Sequence, residues 1–347
     1  MICVKKYLIT GGAGFYGSIL KKDLLNNNFC VSIDLESDNY IHKNLVTIKG
    51  DIRNKNILDE LFKKYKFDAV FHCAALLAHE IKNKNDLWTA NVDGTQNVVN
   101  YAIKYNCPKL IFISSNCLWG KNFEYKVTEE EIPEPIEIYG KSKLECEKIL
   151  LSNKDKLNSI IFRSPTIIDE GRLGLLSLLF EFIDENRKVP IVGNGNNKYQ
   201  FIYAKDMVQA MKKALSYDKT EIFNIGSDNV KSFNEVYKYV IDKSSSKSKL
   251  IHFPKKITTL CMKICFKLGI SPLGPYQYKM ISANFVFDTT KIKEKLDFKP
   301  TLSNEEMLYK SYKYYHENRK EIEHRSNVSA HNKNAKMGVI RLLKWMM

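Results

Sequence analysis

Six short apolar runs recur through the first half of this chain, and most are separated by stretches with helical patterning. The runs are Tyr7–Thr10, Cys30–Asp34, Val46–Lys49, Ala69–Cys73, Leu110–Ser114 and Ser159–Arg163. The helical stretches are Gly14–Asn27, Asn54–Tyr65, Asp86–Tyr105 and Tyr139–Leu151. Strands that alternate with helices return through crossovers, so they build a parallel sheet covered by helices on both faces. No internal repeat interrupts this order. After about residue 165 the alternation becomes irregular, and Gly193-Asn194-Gly195-Asn196-Asn197 marks a turn. The expectation is a doubly wound α/β domain over residues 1–165. A smaller α/β lobe over 166–320 is interleaved with it, above the carboxyl edge of the sheet. Residues 321–347 follow as a polar linker and a tail.

Composition narrows the class. The chain has 347 residues, of which 44% are hydrophobic and 27% charged, as in ordinary soluble globular proteins. No apolar run approaches the roughly 20 residues needed to cross a bilayer. Val4-Lys5-Lys6-Tyr7-Leu8-Ile9 already reads as a strand, so no cleaved leader is expected. The eight cysteines are scattered, and none has the two-residue spacing of a zinc or redox motif. They read as reduced thiols of a cytoplasmic protein, with no metal site. The net charge of +15 comes from 54 basic and 39 acidic residues. The excess is lysine spread along the whole chain, without an aromatic-basic stripe, so nucleic acid is not the expected partner. An anionic substrate or an anionic membrane surface fits the charge better.

A glycine turn gives the fold its chemistry. Thr10-Gly11-Gly12-Ala13-Gly14-Phe15-Tyr16-Gly17 follows the first run and opens a helix. Gly11, Gly14 and Gly17 are three apart. Such glycines allow a tight turn, let backbone amides approach a pyrophosphate, and let the helix pack close to the strand. The helix N-terminus favours the anion. Asp34 ends the second run, 23 residues after Gly11. Its carboxylate would accept hydrogen bonds from the adenosine ribose hydroxyls and repel a 2′-phosphate. Leu35 and Glu36 supply no arginine, so NAD is expected rather than NADP. This is the Rossmann pattern.

From residue 2 to about residue 320 the chain resembles the extended short-chain dehydrogenase/reductase family, also called the NAD-dependent epimerase/dehydratase family. The marks stand in the family's order. Gly50-Asp51-Ile52-Arg53 resembles its adenine-binding turn, which implies that Asp51 and Ile52 line the cofactor. His72-Cys73-Ala74-Ala75 resembles the strand end beside the cofactor, implicating Ala74 and Ala75. Asn91-Val92-Asp93-Gly94-Thr95 is similar to the segment whose asparagine orders the active-site backbone. Ser114-Ser115-Asn116-Cys117-Leu118-Trp119-Gly120 and Tyr139-Gly140-Lys141-Ser142-Lys143 resemble the catalytic segments. The resemblance also implies a homodimer formed through two helices of each subunit.

Tyr139 and Lys143 are four apart and share one face of a helix. A tyrosine is a poor base at neutral pH, with an unperturbed pKa of about 10. A neighbouring ammonium and the positive ring of NAD⁺ would lower that pKa. Lys143 can also hold the nicotinamide ribose, and Ser115 can donate to the sugar oxygen from which Tyr139 takes a proton. Pro165 and Thr166, in Arg163-Ser164-Pro165-Thr166, are implied by resemblance to lie near the nicotinamide and the substrate. Elsewhere a Tyr-x-x-x-Lys is ordinarily a surface pair on a helix. Here it stands between a Ser-Ser strand end and the next strand.

The reaction follows from what stands after Ser115. Sugar dehydratases of this family usually carry an Asp-Glu pair there, and this chain has Asn116-Cys117. A 4-epimerase needs no extra acid and recycles its cofactor. The expected function is therefore NAD-dependent 4-epimerisation of a sugar carried on a nucleotide diphosphate or a polyprenyl diphosphate, in surface glycan biosynthesis. The alternative is an NAD(P)H-dependent reductase of a keto-deoxysugar or lipid alcohol. A dehydratase and a non-catalytic dinucleotide sensor are less favoured, the latter because Tyr139 and Lys143 are both present.

The smaller lobe would bind the substrate, and it departs from the family's pattern. Asp206 matches the acid that opens a family helix and reads as its N-cap. Where nucleotide-sugar enzymes often place an arginine against the diphosphate, this chain has Tyr199, with Lys198 beside it as a substitute cation. Asn116, Thr166, Lys198 and Tyr199 are the substrate-side candidates. Residues 255–268 place Ile257, Leu260, Cys261, Ile264 and Leu268 on one helical face, against Lys256, Thr259, Lys263 and Lys267. The tail, 337–347, is apolar, basic and carries a tryptophan. Each segment could pack in a core or dimer face, or lie peripherally on the inner face of the membrane.

Overall fold

The computed structural model describes residues 4–77, 83–271, 273–324 and 344. The first half runs β1 (Lys6–Thr10), α1 (Phe15–Leu24), β2 (Phe29–Asp34), β3 (Leu45–Lys49), α2 (Lys55–Tyr65), β4 (Ala69–His72), α3 (Lys84–Trp88), α4 (Gly94–Lys104), β5 (Lys109–Ser115), α5 (Ile138–Ser152) and β6 (Asn158–Ser164). The second half continues with β7 (Thr166–Ile168), α6 (Leu176–Asp184), β8 (Val189–Val192), β9 (Phe201–Tyr203), α7 (Ala204–Ala214) and β10 (Glu221–Asn224). It closes with α8 (Phe233–Lys243), β11 (Leu250–Phe253), α9 (Lys255–Lys267), α10 (Pro275–Met280), α11 (Thr290–Leu296) and α12 (Asn304–Glu323).

The main sheet has seven strands in the order β10-β6-β5-β4-β1-β2-β3, and its pairings are parallel. The chain reverses direction across the sheet between β1 and β4. In doubly wound sheets a ligand crevice opens there, outside the carboxyl ends of the strands. The central strands are buried on both faces, which is why they read as continuous apolar runs. One core packs Leu20, Leu24, Met207 and Met211 of α1 and α7 against Phe71 and Phe162. The other packs Leu58, Phe62, Val98 and Val99 of α2 and α4 against Val31, Val70 and Phe112. The expected doubly wound fold is present. Among the described residues no helix is long and apolar enough to cross a membrane.

Two expectations are corrected and one element is added. The helix expected over 86–105 is broken: a π-helical turn at Thr89–Asp93 lies between α3 and α4. The seventh strand, β10, comes from the second half and pairs with β6, since Phe223 fills the core there. Asp206 is no N-cap. Tyr203 takes that place without a side-chain cap. Asp206 lies one turn in, buried, and accepts from Thr301 N (2.8 Å) and Thr301 Oγ1 (2.7 Å), tying α7 to the segment before α12.

The helix of residues 255–268 forms as α9, and no residue of it is buried. The tail lies outside the described residues except Lys344, whose ammonium pairs with Glu181 of α6 and with Glu185 just after it.

Candidate functional site

The site begins at the loop after β1. Gly11 has φ +74°, and a Cβ there would stand 2.7 Å from Ala74 N. A Cβ on Gly17 would stand 2.1 Å from Gly11 O. Only glycine lets α1 approach the loop and the β4 end this closely. The N-terminus of α1 has Gly14 at the cap, no capping side chain and no acid in the first turn. Backbone amides and the positive helix end there suit a phosphate. Asp34 stands beside the loop, its Oδ2 accepting from Ala13 N (2.9 Å) and its Oδ1 from Glu36 N (3.1 Å). Lys21, which the sequence did not suggest, is buried beneath the loop. It donates to Gly12 O (3.0 Å) and pairs with Asp38.

Phe15 and Tyr16 are buried on the first turn of α1. Ile52 is buried against Gly94, where a Cβ would come within 2.7 Å of its Cδ1. Asp51 is held by Arg53, which donates from Nε (2.9 Å) and Nη2 (2.6 Å). Arg53 also reaches Asp86 Oδ1 (2.5 Å). This pairing holds the Asp51 carboxyl below its ordinary range, against the opposing effect of partial burial. These surfaces together form a glycine-lined, acid-edged cradle that fits NAD.

A chain of hydrogen bonds crosses beneath the cradle. Ala74 N donates to Thr10 Oγ1 (3.2 Å), and His72 Nδ1 lies 2.6 Å from the same oxygen. His72 Nε2 is 2.8 Å from Thr95 Oγ1, which spends its own proton on Asn91 O (2.5 Å). His72 therefore donates from Nε2 and accepts at Nδ1. Asn91 sits in the π-helical turn. Its side chain accepts from Leu76 N (2.7 Å) and donates to Leu76 O (3.1 Å) and Ser142 Oγ (3.0 Å). It thereby clamps the stretch after Ala74 and Ala75 to α5. A π turn commonly marks a functional position, because it redirects one side chain and one carbonyl.

Ser115 ends β5, and Tyr139 and Lys143 stand one turn apart on α5. The structure brings the three together. Gly140 allows the approach, since a Cβ there would lie 2.1 Å from Cys117 O. Lys143 Nζ donates to Ile113 O (2.8 Å) and lies 5.9 Å from the centre of the Tyr139 ring. Burial raises the Tyr139 phenol above its ordinary value and lowers the Lys143 ammonium below its own. Desolvation of the phenolate here outweighs the hydrogen bond from Ser115 and the charge of Arg172, so the expected lowering falls to the positive ring of NAD⁺. Arg172 is a second group that the sequence did not single out. Its guanidinium stands 5.5 Å from the centre of the Phe15 ring.

The substrate side is partly as expected. Asn116 is buried after Ser115 and donates to Tyr199 Oη (2.6 Å). Tyr199 Oη is 3.1 Å from Tyr276 Oη on α10, and its phenol also feels Thr166. Burial raises the Tyr199 phenol to about 12, keeping it a neutral donor and acceptor. Pro165 is buried between β6 and β7. Lys198 is not part of this cluster. Successive residues of extended chain face opposite ways. Tyr199 turns inward, whereas Lys198 is exposed and acts on Glu235 of α8. Tyr276 joins from 77 residues away, with no local signal to announce it.

Comparison with known proteins agrees with this fold. A model of the NAD dependent epimerase/dehydratase family matches residues 7–226. An uncharacterized protein of Sinorhizobium fredii is 32% identical over 345 residues, 99% of this chain and 86% of the relative. A putative UDP-glucose 4-epimerase of Methanocaldococcus jannaschii is 31% identical over 66% of this chain and 79% of the relative. The crystal structure of a UDP-glucose 4-epimerase from Thermotoga maritima, with UDP-glucose, superposes with a TM-score of 0.76. It is 24% identical, over 90% of this chain and 99% of that one. With the glycine loop, Ser115, Tyr139 and Lys143 all inside the matched span, the chain is an enzyme of the NAD-dependent epimerase/dehydratase family.

Proposed function

We propose that this enzyme is a 4-epimerase of a hexose carried on a diphosphate, either of a nucleotide or of a polyprenyl lipid. The observation that carries the reading is the chemistry after Ser115. Elimination of water needs an acid and a base beside the sugar ring. Asn116 has no titratable group and is committed to Tyr199 (2.6 Å). Cys117 is desolvated, and its thiol is pushed up to about 11. Glu137, two residues before Tyr139, is engaged by Tyr276 N, which donates to it (2.6 Å). No carboxylate stands in the turn directly after Ser115, where an elimination would need its acid and base.

Epimerisation needs only what is present. Tyr139 takes the hydroxyl proton and later returns it, and Ser115 holds the same oxygen. Bound NAD⁺ supplies the hydride acceptor and a positive ring that favours the phenolate. Lys143 has one donor on Ile113 O and keeps others for a sugar hydroxyl. Arg172 adds a cation on the Tyr139 side, where an anionic carrier would gain from it. Asn116, Thr166 and Tyr199 form a neutral polar wall against which the keto sugar can turn.

The test is incubation of the enzyme with UDP-hexoses and polyprenyl-diphosphate hexoses, identifying product while following NADH absorbance. The 4-epimer with no net NADH is expected. Tyr139→Phe should lower turnover on the order of a thousandfold while retaining cofactor. A 4-keto-6-deoxy product, stoichiometric NADH consumption, or full activity of Tyr139→Phe would overturn the proposal.

A further inference from the structure

Helix α9 is oriented the wrong way round for a helix of a water-soluble surface. At 100° per residue, Thr258, Thr259, Met262 and Cys265 share the side that is partly covered by the protein. The apolar stripe lies on the far side. Ile257 is 65% exposed, Leu260 58%, Ile264 48% and Leu268 67%. Lys256, Lys263 and Lys267 line one edge of that stripe, all exposed. No Asp or Glu occurs between residues 255 and 270, and Ile270, 47% exposed, extends the apolar surface past Gly269. Apolar residues scattered singly on a surface need no explanation, but a continuous stripe with a one-sign border does.

We propose that α9 docks this protein onto an anionic lipid surface, with the stripe entering the headgroup boundary and the lysines meeting lipid phosphates. The charge selects this occupant. A helix lying in an interface has a strong apolar face, modest overall hydrophobicity and lysine on its polar border, as α9 has. Each lysine gains near an anionic leaflet. A second copy of the chain would bring the same lysine border against itself, in a molecule already carrying +15.

The docking helix is joined to the site. Phe266 of α9 packs against Tyr278 of α10, with ring centres 6.4 Å apart. On the same short helix Tyr276 N donates to Glu137, and Tyr276 Oη meets Tyr199 Oη. A membrane under α9 would therefore hold the Tyr199 wall near its surface. Docking itself needs no turnover, so it stands or falls apart from the 4-epimerase reading.

The experiment is co-sedimentation of the full chain with vesicles containing phosphatidylglycerol, and with vesicles of phosphatidylcholine alone. The variants are Leu260→Glu and Ile264→Glu, with NAD content and solution mass measured alongside. Expected is binding to the anionic vesicles at least about tenfold tighter than to the neutral ones, weakening with salt. Each variant should lose about tenfold or more while keeping its NAD. Absence of vesicle binding by the unaltered protein overturns the proposal. So does binding indifferent to both substitutions. A lipid-free oligomer that Leu260→Glu splits would do the same, assigning the face to a second copy.

Discussion

His72 shows how a single buried side chain can fix both structure and protonation. Its two nitrogens are already assigned, one to Thr10 and one to Thr95, so a second proton has no acceptor. Burial disfavours the imidazolium as well, and together with Lys143 pushes the ring pKa down to about 3. An unfolded histidine titrates near about 6.5. Below that pH only the unfolded state takes up the proton, so stability is complete above it and falls as pH drops toward about 3. The contribution lost between pH 7 and pH 5 is about 2 kcal/mol. Urea titrations at the two pH values should show it, and His72→Gln should lose stability less steeply over the interval. An equal loss in the variant would refute this role. The sequence made His72 visible only as part of a strand-end motif. Its tautomer depends on where Thr95 sends its proton, and that needs coordinates. Arg172 and Tyr276 were invisible for a related reason: they reach the site from distant parts of the chain. Lys198 and Tyr199 are neighbours in sequence but face opposite ways, which a reading by charge alone does not register.

At the scale of elements, close packing at the glycine loop is what makes the cradle. A Cβ at residue 17 would meet a backbone oxygen at 2.1 Å, and backbone has no rotamer with which to yield. Gly17→Ala should push α1 away from the loop, cost about 1–3 kcal/mol in thermal or urea unfolding, and leave the purified protein depleted of NAD. Unchanged stability with full NAD content would show that α1 does not depend on this contact. The helix and strand pattern of the first half was legible because parallel central strands are apolar on both faces. Two features were not. The π turn at Thr89–Asp93 inserts one residue into a helix without altering its apolar periodicity enough to be noticed. The strand Glu221–Asn224 has only Ile222 and Phe223 as apolar residues between a glutamate and an asparagine, so it does not stand out, and it is fixed by pairing with β6 at the sheet edge.

For the whole molecule, the seven-stranded sheet brings the glycine loop, Ala74, Ser115 and Pro165 to the carboxyl ends of β1, β4, β5 and β6, with Tyr139 and Lys143 beside them on α5. The second half contributes one strand to that sheet and also the Tyr199 and Tyr276 wall above it. This division explains why the cofactor chemistry could be read from local motifs while the substrate side could not. The cofactor motifs lie within single strand–turn–helix units, whereas the wall is assembled from β-bridges and short helices far apart in the chain. It also leaves α9 at the edge of the wall, with its apolar stripe unpartnered among the described residues. The central claim is that the sugar is oxidised and reduced at the same carbon. The most direct test is to follow a deuterium placed at C4 of an accepted hexose. We predict a 4-epimer that retains the deuterium at C4, because the hydride leaves and returns within one binding event. Deuterium found at C6, or lost from the sugar, would contradict the account.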